Sequence, residues 1–155
     1  MATIAFLGLG NMGGPMAANL LGAGHTVRGF DPVATLREAA EAHGAKGFDS
    51  GAAAVAEADV VITSLPNGDI VKRCYAEVLP AAKPGALFID TSTISVDDAR
   101  AIHGDAVAAG FEQLDAPVSG GIKGATAGTL AFMVGGEDAA VGHARPVLEL
   151  SLIHI

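Results

Sequence analysis

Apolar residues follow two alternating patterns along this chain: short runs typical of buried strands, and alanine-rich stretches in which apolar positions recur at helical spacing. The run at 60–64 is mostly apolar, which is typical of a strand covered on both faces. Strands are predicted at residues 3–7, 26–30, 46–48, 60–64, 86–90, 111–114 and 130–134. Helices are predicted at residues 12–23, 33–43, 52–56, 69–79, 95–109 and 138–150. This alternation predicts an α/β fold, with one domain, a doubly wound, mostly parallel sheet and helices on both faces.

Composition narrows the class of protein. The chain has 155 residues, 50% of them hydrophobic, which suffices for one domain with a full core. Its net charge is −8 and its Lys and Arg residues are scattered, so we expect no nucleic-acid partner. Glycines and Pro15 interrupt the apolar stretch at 2–24, so no membrane segment is expected. The single Cys74 fits a cytoplasmic location, and the five dispersed histidines predict no metal site.

A glycine-rich segment lies directly between the first predicted strand and the first predicted helix. In that position Gly8 permits a tight turn, Gly10 lets a pyrophosphate approach the backbone, and Gly13 lets helix and strand pack closely. A pyrophosphate there would meet unpaired N–H groups at the start of the helix. The segment therefore predicts a Rossmann-type dinucleotide site. The candidate coenzyme-binding residues of this segment are Gly8, Leu9, Gly10, Asn11, Met12 and Gly13.

Asp31 ends the second predicted strand, 18 residues after Gly13. A carboxylate at this position can accept hydrogen bonds from the ribose hydroxyls of a dinucleotide and would repel a 2′-phosphate. Because Pro32 and Val33 follow it, no arginine comes directly after Asp31 to bind that phosphate. NAD is therefore predicted as the cofactor in preference to NADP. The alternative is that Asp31 only caps the next helix.

Three further loops follow predicted strands, at 65–67, 91–93 and 116–121. Ligands of doubly wound sheets bind outside the carboxyl ends of the strands, so these loops are predicted to border the nicotinamide side of the site. The loop at 65–67 could equally be an ordinary turn. No histidine stands in a nucleophile-elbow context with Ser119, which argues against a hydrolase.

Two longer segments carry a family resemblance that spans residues 4–149. They read FLGLGNMGGPMAANL from Phe6 and DAPVSGG from Asp115, and GTLAFMVGG from Gly128 supports them. Together they resemble the β-hydroxyacid dehydrogenase family. The resemblance implies that Leu65, Pro66 and Thr93 contact the cofactor NAD. It also implies that a small-molecule 3-hydroxy acid, such as 3-hydroxyisobutyrate, or its semialdehyde is the partner, its carboxylate held by Ser119, Gly120 and Gly121. The alternative for this last segment is a plain glycine-rich bend.

The resemblance also concerns residues that this sequence does not contain. In the family a lysine in a Gly-x-Gly-Gln-x-x-Lys run acts as general acid and base, and Lys123 does not match its position. The chain departs from the family pattern after Glu149, so residues 1–150 are predicted to form the NAD-binding domain and 151–155 a tail outside the family. No catalytic residue is therefore assigned, the helical second domain is expected to be absent, and the chain is expected to be inactive alone. A homo-oligomer is expected only for a full-length enzyme.

Two alternatives to this interpretation stay open. One is an enzyme of the tartronate semialdehyde reductase type, which shares both motifs. The other is a module that binds NAD without catalysis, although such a module would need no carboxylate-binding segment.

Overall fold

In the computed structural model, which describes residues 1–151, six strands form one parallel sheet. They are β1 (Thr3–Leu7), β2 (Thr26–Phe30), β3 (Lys46–Gly47), β4 (Val60–Thr63), β5 (Leu87–Asp90) and β6 (Glu112–Asp115). Their spatial order is β3-β2-β1-β4-β5-β6. The chain runs outward from β1 to one edge, then returns to the other side of β1, so β1 and β4 flank the point at which the sheet changes direction. This order confirms the predicted doubly wound fold.

Helices cover both faces of the sheet. Within residues 1–151 they are α1 (Gly13–Gly22), α2 (Ala34–Ala42), α3 (Gly51–Val55), α4 (Gly68–Val78), α5 (Val96–Ala108), α6 (Gly121–Ala127) and α7 (Asp138–Ser151). One core packs Ile4 and Ile62 against α1 and α7, and the opposite core packs Val61 and Phe88 against α4 and α5. Alternate residues of the same strands therefore enter different cores, which explains why β4 and β5 are buried at every position.

Several helices begin where the sequence offers a polar capping side chain. The side chains of Ser50, Asn67 and Ser95 accept hydrogen bonds from the backbone of α3, α4 and α5. The carboxylate of Asp98, three residues after Ser95, pairs with Lys72 on α4. The pairing joins two neighbouring helices beside the loops of the candidate site.

The segment between β6 and α7 differs from the prediction. A glycine-rich loop and a strand at 130–134 were expected, but the structure has a short hairpin of β7 (Val118–Ser119) and β8 (Ala131–Phe132), separate from the main sheet, with α6 between its strands. Asn19 Nδ2 donates to the carbonyl oxygen of Ala125 at 2.7 Å and so ties α6 to α1. Tertiary packing of small residues against α1 therefore outweighs the low helix propensity of this glycine-rich stretch.

Two expectations concern the predicted tail at 151–155 and membrane-spanning segments. Ser151, the first residue of the predicted tail, ends α7. The rest of that tail, 152–155, lies outside the described residues. Across residues 1–151, no helix has both the length and the apolar character needed to cross a bilayer.

Candidate functional site

The glycine loop between β1 and α1 leaves room for side chains at only one of its three glycines. A Cβ atom on Gly13 would overlap the carbonyl oxygen of Gly8, and one on Gly8, whose φ is +99°, would overlap the carbonyl oxygen of Ser64. By contrast, a Cβ atom on Gly10 would have no protein atom within 4 Å. The backbone is thus tightly packed at Gly8 and Gly13 and open at Gly10. This is the arrangement that a ligand approaching the backbone at Gly10 needs.

The same loop offers unpaired hydrogen-bond donors. Among residues 1–151, the backbone N–H groups of Gly10, Asn11 and Met12 donate no hydrogen bond, and these residues are exposed or half-buried. The N–H of Leu9 is already used, because it donates to Asp31 Oδ2 at 2.9 Å. Free amides before the first turn of a helix suit an anion such as a diphosphate. The loop therefore fits the central part of a dinucleotide.

Asp31 lies beside this loop, at the carboxyl end of β2. It is 8% exposed, and its other carboxylate oxygen accepts the N–H of Val33 at 2.9 Å. Each carboxylate oxygen has a second lone pair, so both can still accept a ribose hydroxyl. Val33 is the N-cap residue of α2, so the bond from its N–H to Asp31 closes a turn before the helix and does not cap it.

A cavity of about 370 Å³ lies on the β2 side of the loop. Gly8, Phe30, Pro32 and Leu65 line it, together with residues of α4. Cys74 of α4 is among them, and burial, with the nearby charges of Glu77 and Asp90, raises the pKa of its thiol to about 12. The thiol therefore stays protonated and acts as an apolar wall. A largely apolar cavity next to Asp31 suits an adenine ring.

A second cavity, of about 310 Å³, opens on the β4 and β5 side and shares Leu65 with the first. Its lining residues are Met12, Ser64, Leu65, Pro66, Thr91, Ser92, Thr93, Val118 and Gly121. All three loops predicted to border the nicotinamide side therefore meet in one place. Of the predicted substrate residues only Gly121 lines this cavity, whereas Ser119 ends β7, Gly120 follows it, and both are exposed.

A larger cavity of about 460 Å³ lies behind the glycine loop, between α1, α2 and α6. Leu9, Gly10 and Asn11 form one end of it, and the remaining lining is mostly apolar helix surface, including Leu36 and Ile122. Apart from the glycine loop, it has none of the strand-end loops that line the other two cavities in the described part of the chain. The two cavities that share Leu65, at the change of direction of the sheet, therefore form the candidate site, which we call the Leu65 groove.

Buried polar side chains support the floor of this groove, and sequence reasoning did not assign them. Asp90 Oδ1 accepts the Thr63 hydroxyl at 2.8 Å and the Ser92 N–H at 3.1 Å. The Ser92 hydroxyl in turn accepts the N–H of Leu65 at 2.9 Å. The loops after β4 and β5 are thus joined by hydrogen bonds. The sequence signal was present, since a charged residue ends an otherwise apolar strand.

Asp90 and Asp115 form a second electrostatic feature, beside the groove, where Asp115 lines a separate cavity of about 290 Å³. They are register partners on β5 and β6, and each has one buried carboxylate oxygen without a hydrogen-bond partner among the described residues. Burial raises the pKa of Asp90, and burial together with the charge of Asp90 raises the pKa of Asp115 to about 6. The pair therefore holds a proton in weakly acidic solution.

Replacing Asp115 with asparagine is expected to stabilise the protein above pH 6 and to leave it unchanged near pH 4. The unfolded carboxyl titrates near 3.8 and the folded one near 6, so the folded state binds more protons between these values. Stability due to this group therefore falls as pH rises from about 4 to about 6, by about 1 kcal/mol after allowance for solvent screening. Urea unfolding at pH 4, 6 and 8 measures the free energy of unfolding, with Asp105→Asn on the exposed face of α5 as control. Equal increases in the free energy of unfolding for the two variants would contradict the prediction.

Among residues 1–151, no group of three or more His, Cys, Asp and Glu side chains is arranged to hold a metal ion. The open backbone at Gly10, the free amides and the two cavities of the Leu65 groove instead define a dinucleotide-binding domain of the Rossmann class. A family model described as the NAD binding domain of 6-phosphogluconate dehydrogenase matches residues 3–151, and the chain belongs to that family. This match confirms the predicted fold and the predicted cofactor class.

Known proteins agree with this assignment. A Mycobacterium tuberculosis protein named "Probable 3-hydroxyisobutyrate dehydrogenase" is 66% identical over 149 residues, which cover 96% of this chain and 51% of that protein. An NAD-dependent L-serine dehydrogenase of Pseudomonas aeruginosa is 47% identical over 152 residues, with the same two coverages. A solved structure of M. tuberculosis 3-hydroxyisobutyrate dehydrogenase with L-serine superposes with a TM-score of 0.98 at 63% identity, covering 100% of this chain and 54% of that one. The chain thus spans about half the length of these relatives, and the resemblance to β-hydroxyacid dehydrogenases is confirmed.

Proposed function

We propose that the chain is the coenzyme-binding domain of an NAD-dependent 3-hydroxyacid dehydrogenase of the 3-hydroxyisobutyrate dehydrogenase type. The observation that carries this proposal is the meeting of Met12, Leu65, Pro66 and Thr93 with Gly121 around one cavity of the Leu65 groove. Residues predicted for the coenzyme and a residue predicted for the substrate are thus neighbours. Such proximity is what transfer between two bound molecules requires.

The glycine loop, Asp31 and the Leu65 groove each have a proposed role toward NAD. The N–H groups of Gly10, Asn11 and Met12 bind the diphosphate, and Asp31 accepts hydrogen bonds from the adenosine ribose. Leu65, Pro66 and Thr93 contact the nicotinamide end. When bound, the nicotinamide would accept a hydride from the carbon that carries the substrate hydroxyl. Gly8 and Gly13 contribute by close packing, as described above, and Leu9 by its bond to Asp31.

The proposed substrate is a small 3-hydroxy acid. Two of the relatives are named for 3-hydroxyisobutyrate and L-serine. Both compounds carry a hydroxymethyl group on the carbon next to the carboxylate and differ only in a third substituent. The shared carboxylate would be bound by the Ser119 hydroxyl and the N–H groups of Gly120 and Gly121, whose φ values of +134° and +62° favour glycine. Holding the carboxylate fixes the hydroxymethyl group relative to the nicotinamide.

We also propose that residues 1–150 act as the coenzyme domain and that proton transfer is carried out by a lysine outside these 155 residues. Lys123, the lysine nearest in sequence to the proposed carboxylate site, is exposed on α6, and its position does not match that of the family lysine. These residues are therefore expected to bind NAD and not to oxidise 3-hydroxyisobutyrate alone. Measurable oxidation by the purified chain would contradict this part of the proposal.

Calorimetric titration of the chain with NAD and with NADP tests the coenzyme site. NAD is expected to bind at least about tenfold more tightly, because a 2′-phosphate would lie against the Asp31 carboxylate and unit charges about 4 Å apart repel by roughly 4 kcal/mol near a surface before screening. Asp31→Ala should remove most of that preference. The matched control is Asp105→Ala, which removes an exposed carboxylate from α5. Equal affinities for the two coenzymes in the unaltered chain would exclude the role given to Asp31.

A further inference from the structure

Arg37 lies against the residue that was assigned to coenzyme choice. It stands on α2, and its Nη1 donates to the backbone carbonyl oxygen of Asp31 at 2.7 Å. Side chains on a helix lean toward its N-terminus, which explains how a residue of the second turn reaches the end of β2. Pro32 and Val33 directly follow Asp31 in the sequence, and the fold brings this arginine back from six positions downstream.

The positive charge of Arg37 is only weakly neutralised by other side chains. Its one ion-pair partner among the described residues is Asp49, whose Oδ1 is 3.9 Å from Nη2, and the side chain of Asp49 is 104% exposed. An exposed pair at this distance contributes little. The side chain of Arg37 is 22% exposed, and its Nη1 is held by the backbone carbonyl of Asp31, so the arginine is both fixed in place and partly open to a ligand.

We propose that Arg37 is a second determinant of coenzyme choice, which attracts a phosphate on the adenosine ribose while the Asp31 carboxylate repels it. The inference rests on the proposed NAD site. It implies that NADP is disfavoured by one charge and not by a lack of space or of a cation. Guanidinium groups bind phosphate through two parallel N–H donors, and the fork of Arg37 has donors beyond the one bound to Asp31.

Another arginine must be distinguished from Arg37. Arg73 is exposed on α4 and lines the cavity of about 370 Å³ with Phe30 and Leu65. That places it beside the predicted adenine ring, whereas Arg37 is bonded to the predicted ribose-binding residue itself. The proposal assigns the ribose phosphate to Arg37, and the experiment has to separate the two.

The test is a set of affinities for NAD and NADP, measured by calorimetry on the whole chain. Asp31→Asn is expected to raise NADP affinity about tenfold, since it removes one repulsive charge. Adding Arg37→Gln should cancel most of that gain, lowering NADP affinity at least about fivefold more than NAD affinity. Arg37→Lys in the same background should keep part of the gain, because the charge remains. Arg145→Gln, on α7, removes an equal charge elsewhere and should leave the gain intact.

The outcomes separate this inference from the function on which it rests. If NAD does not bind the unaltered chain, both fail. If NAD binds but Arg37→Gln leaves the NADP affinity of the Asp31→Asn chain unchanged, only the role of Arg37 is overturned. The role of Arg37 would also be overturned if Arg73→Gln, and not Arg37→Gln, removed the gain in NADP affinity of the Asp31→Asn chain. A steeper fall of NADP affinity with salt in the Asp31→Asn chain than in its Arg37→Gln derivative would support it.

Discussion

Replacing Gly13 with alanine is expected to destabilise the domain by about 3 kcal/mol or more and to abolish NAD binding. The new methyl group would overlap the carbonyl oxygen of Gly8 and approach the ring of Phe6 at 3.1 Å. The first of these neighbours is backbone, so α1 would have to move away from β1 instead of a side chain turning aside. Urea unfolding and NAD calorimetry on the same preparation measure both effects.

The control for Gly13→Ala is Gly22→Ala, at the other end of α1. A Cβ atom there has no neighbour within 4 Å, and alanine favours helix over glycine by about 0.5–1 kcal/mol. This variant should be as stable as the unaltered chain or slightly more so, and should bind NAD normally. Equal stability of Gly13→Ala and Gly22→Ala would show that the close approach at Gly13 is not required.

Replacing Gly10 with alanine is expected to have the opposite profile: an unchanged fold and an NAD affinity reduced about a hundredfold. No protein atom lies within 4 Å of the added methyl group, so stability should be preserved. The group would instead fill the space before the amides of Asn11 and Met12 and block their bonds to the diphosphate. Losing two charge-assisted hydrogen bonds, at about 1.5 kcal/mol each, corresponds to about that factor.

Calorimetry with NAD and with AMP, which lacks the diphosphate bridge and the nicotinamide, checks the prediction for Gly10. The variant should lose less affinity for AMP than for NAD, because Gly10 does not line the cavity proposed for adenine and AMP has only one of the two phosphates. An NAD affinity within about twofold of the unaltered chain would mean that the diphosphate lies elsewhere, and the proposed site would then be wrong.

The pattern of the sequence was sufficient to predict the main sheet. The strands β1 and β2 have the predicted bounds, and β4 and β5 are each one residue shorter at one end. Except for β2, which contains Arg28, these segments have nearly unbroken apolar runs because both of their faces are buried, and the ends of the segments are marked by glycine, proline or aspartate. The coenzyme loop was predictable for the same reason, since its glycines have positions fixed by the turn between β1 and α1.

The segment after β6 was not predictable in this way. Helix α6 contains two glycines and is stabilised by contacts with α1. One of these contacts joins Ala125 to Asn19, which lies 106 positions earlier in the sequence. Its neighbours β7 and β8 are two residues each, too short for a period to be recognised. The predicted strand at 130–134 was therefore correct in type over 131–132 and wrong in length and in its sheet. The pattern of residues within a short segment does not indicate which distant residues that segment will contact.

Side-chain relations across the sheet were likewise beyond the sequence. Asp90 and Asp115 become neighbours only through the register of β5 and β6, and Arg37 reaches Asp31 only because α2 turns back over β2. In each case the sequence shows the two residues, but whether their side chains meet depends on how the strands and helices are arranged in the fold. The sequence thus indicated which loops form the site, and the structure was needed to show what lies beneath and beside them.

The hydrogen bond from Leu9 to Asp31 has a consequence for the kinetics of coenzyme binding. It joins the glycine loop to β2 within the chain itself, and the bond from Gly14 N–H to the carbonyl oxygen of Gly10 fixes the next turn. Little conformational entropy then remains to be lost when a dinucleotide associates. A rigid loop of this kind should bind NAD without a slow rearrangement. Differences in NAD affinity among variants should therefore arise mainly from the rate of dissociation.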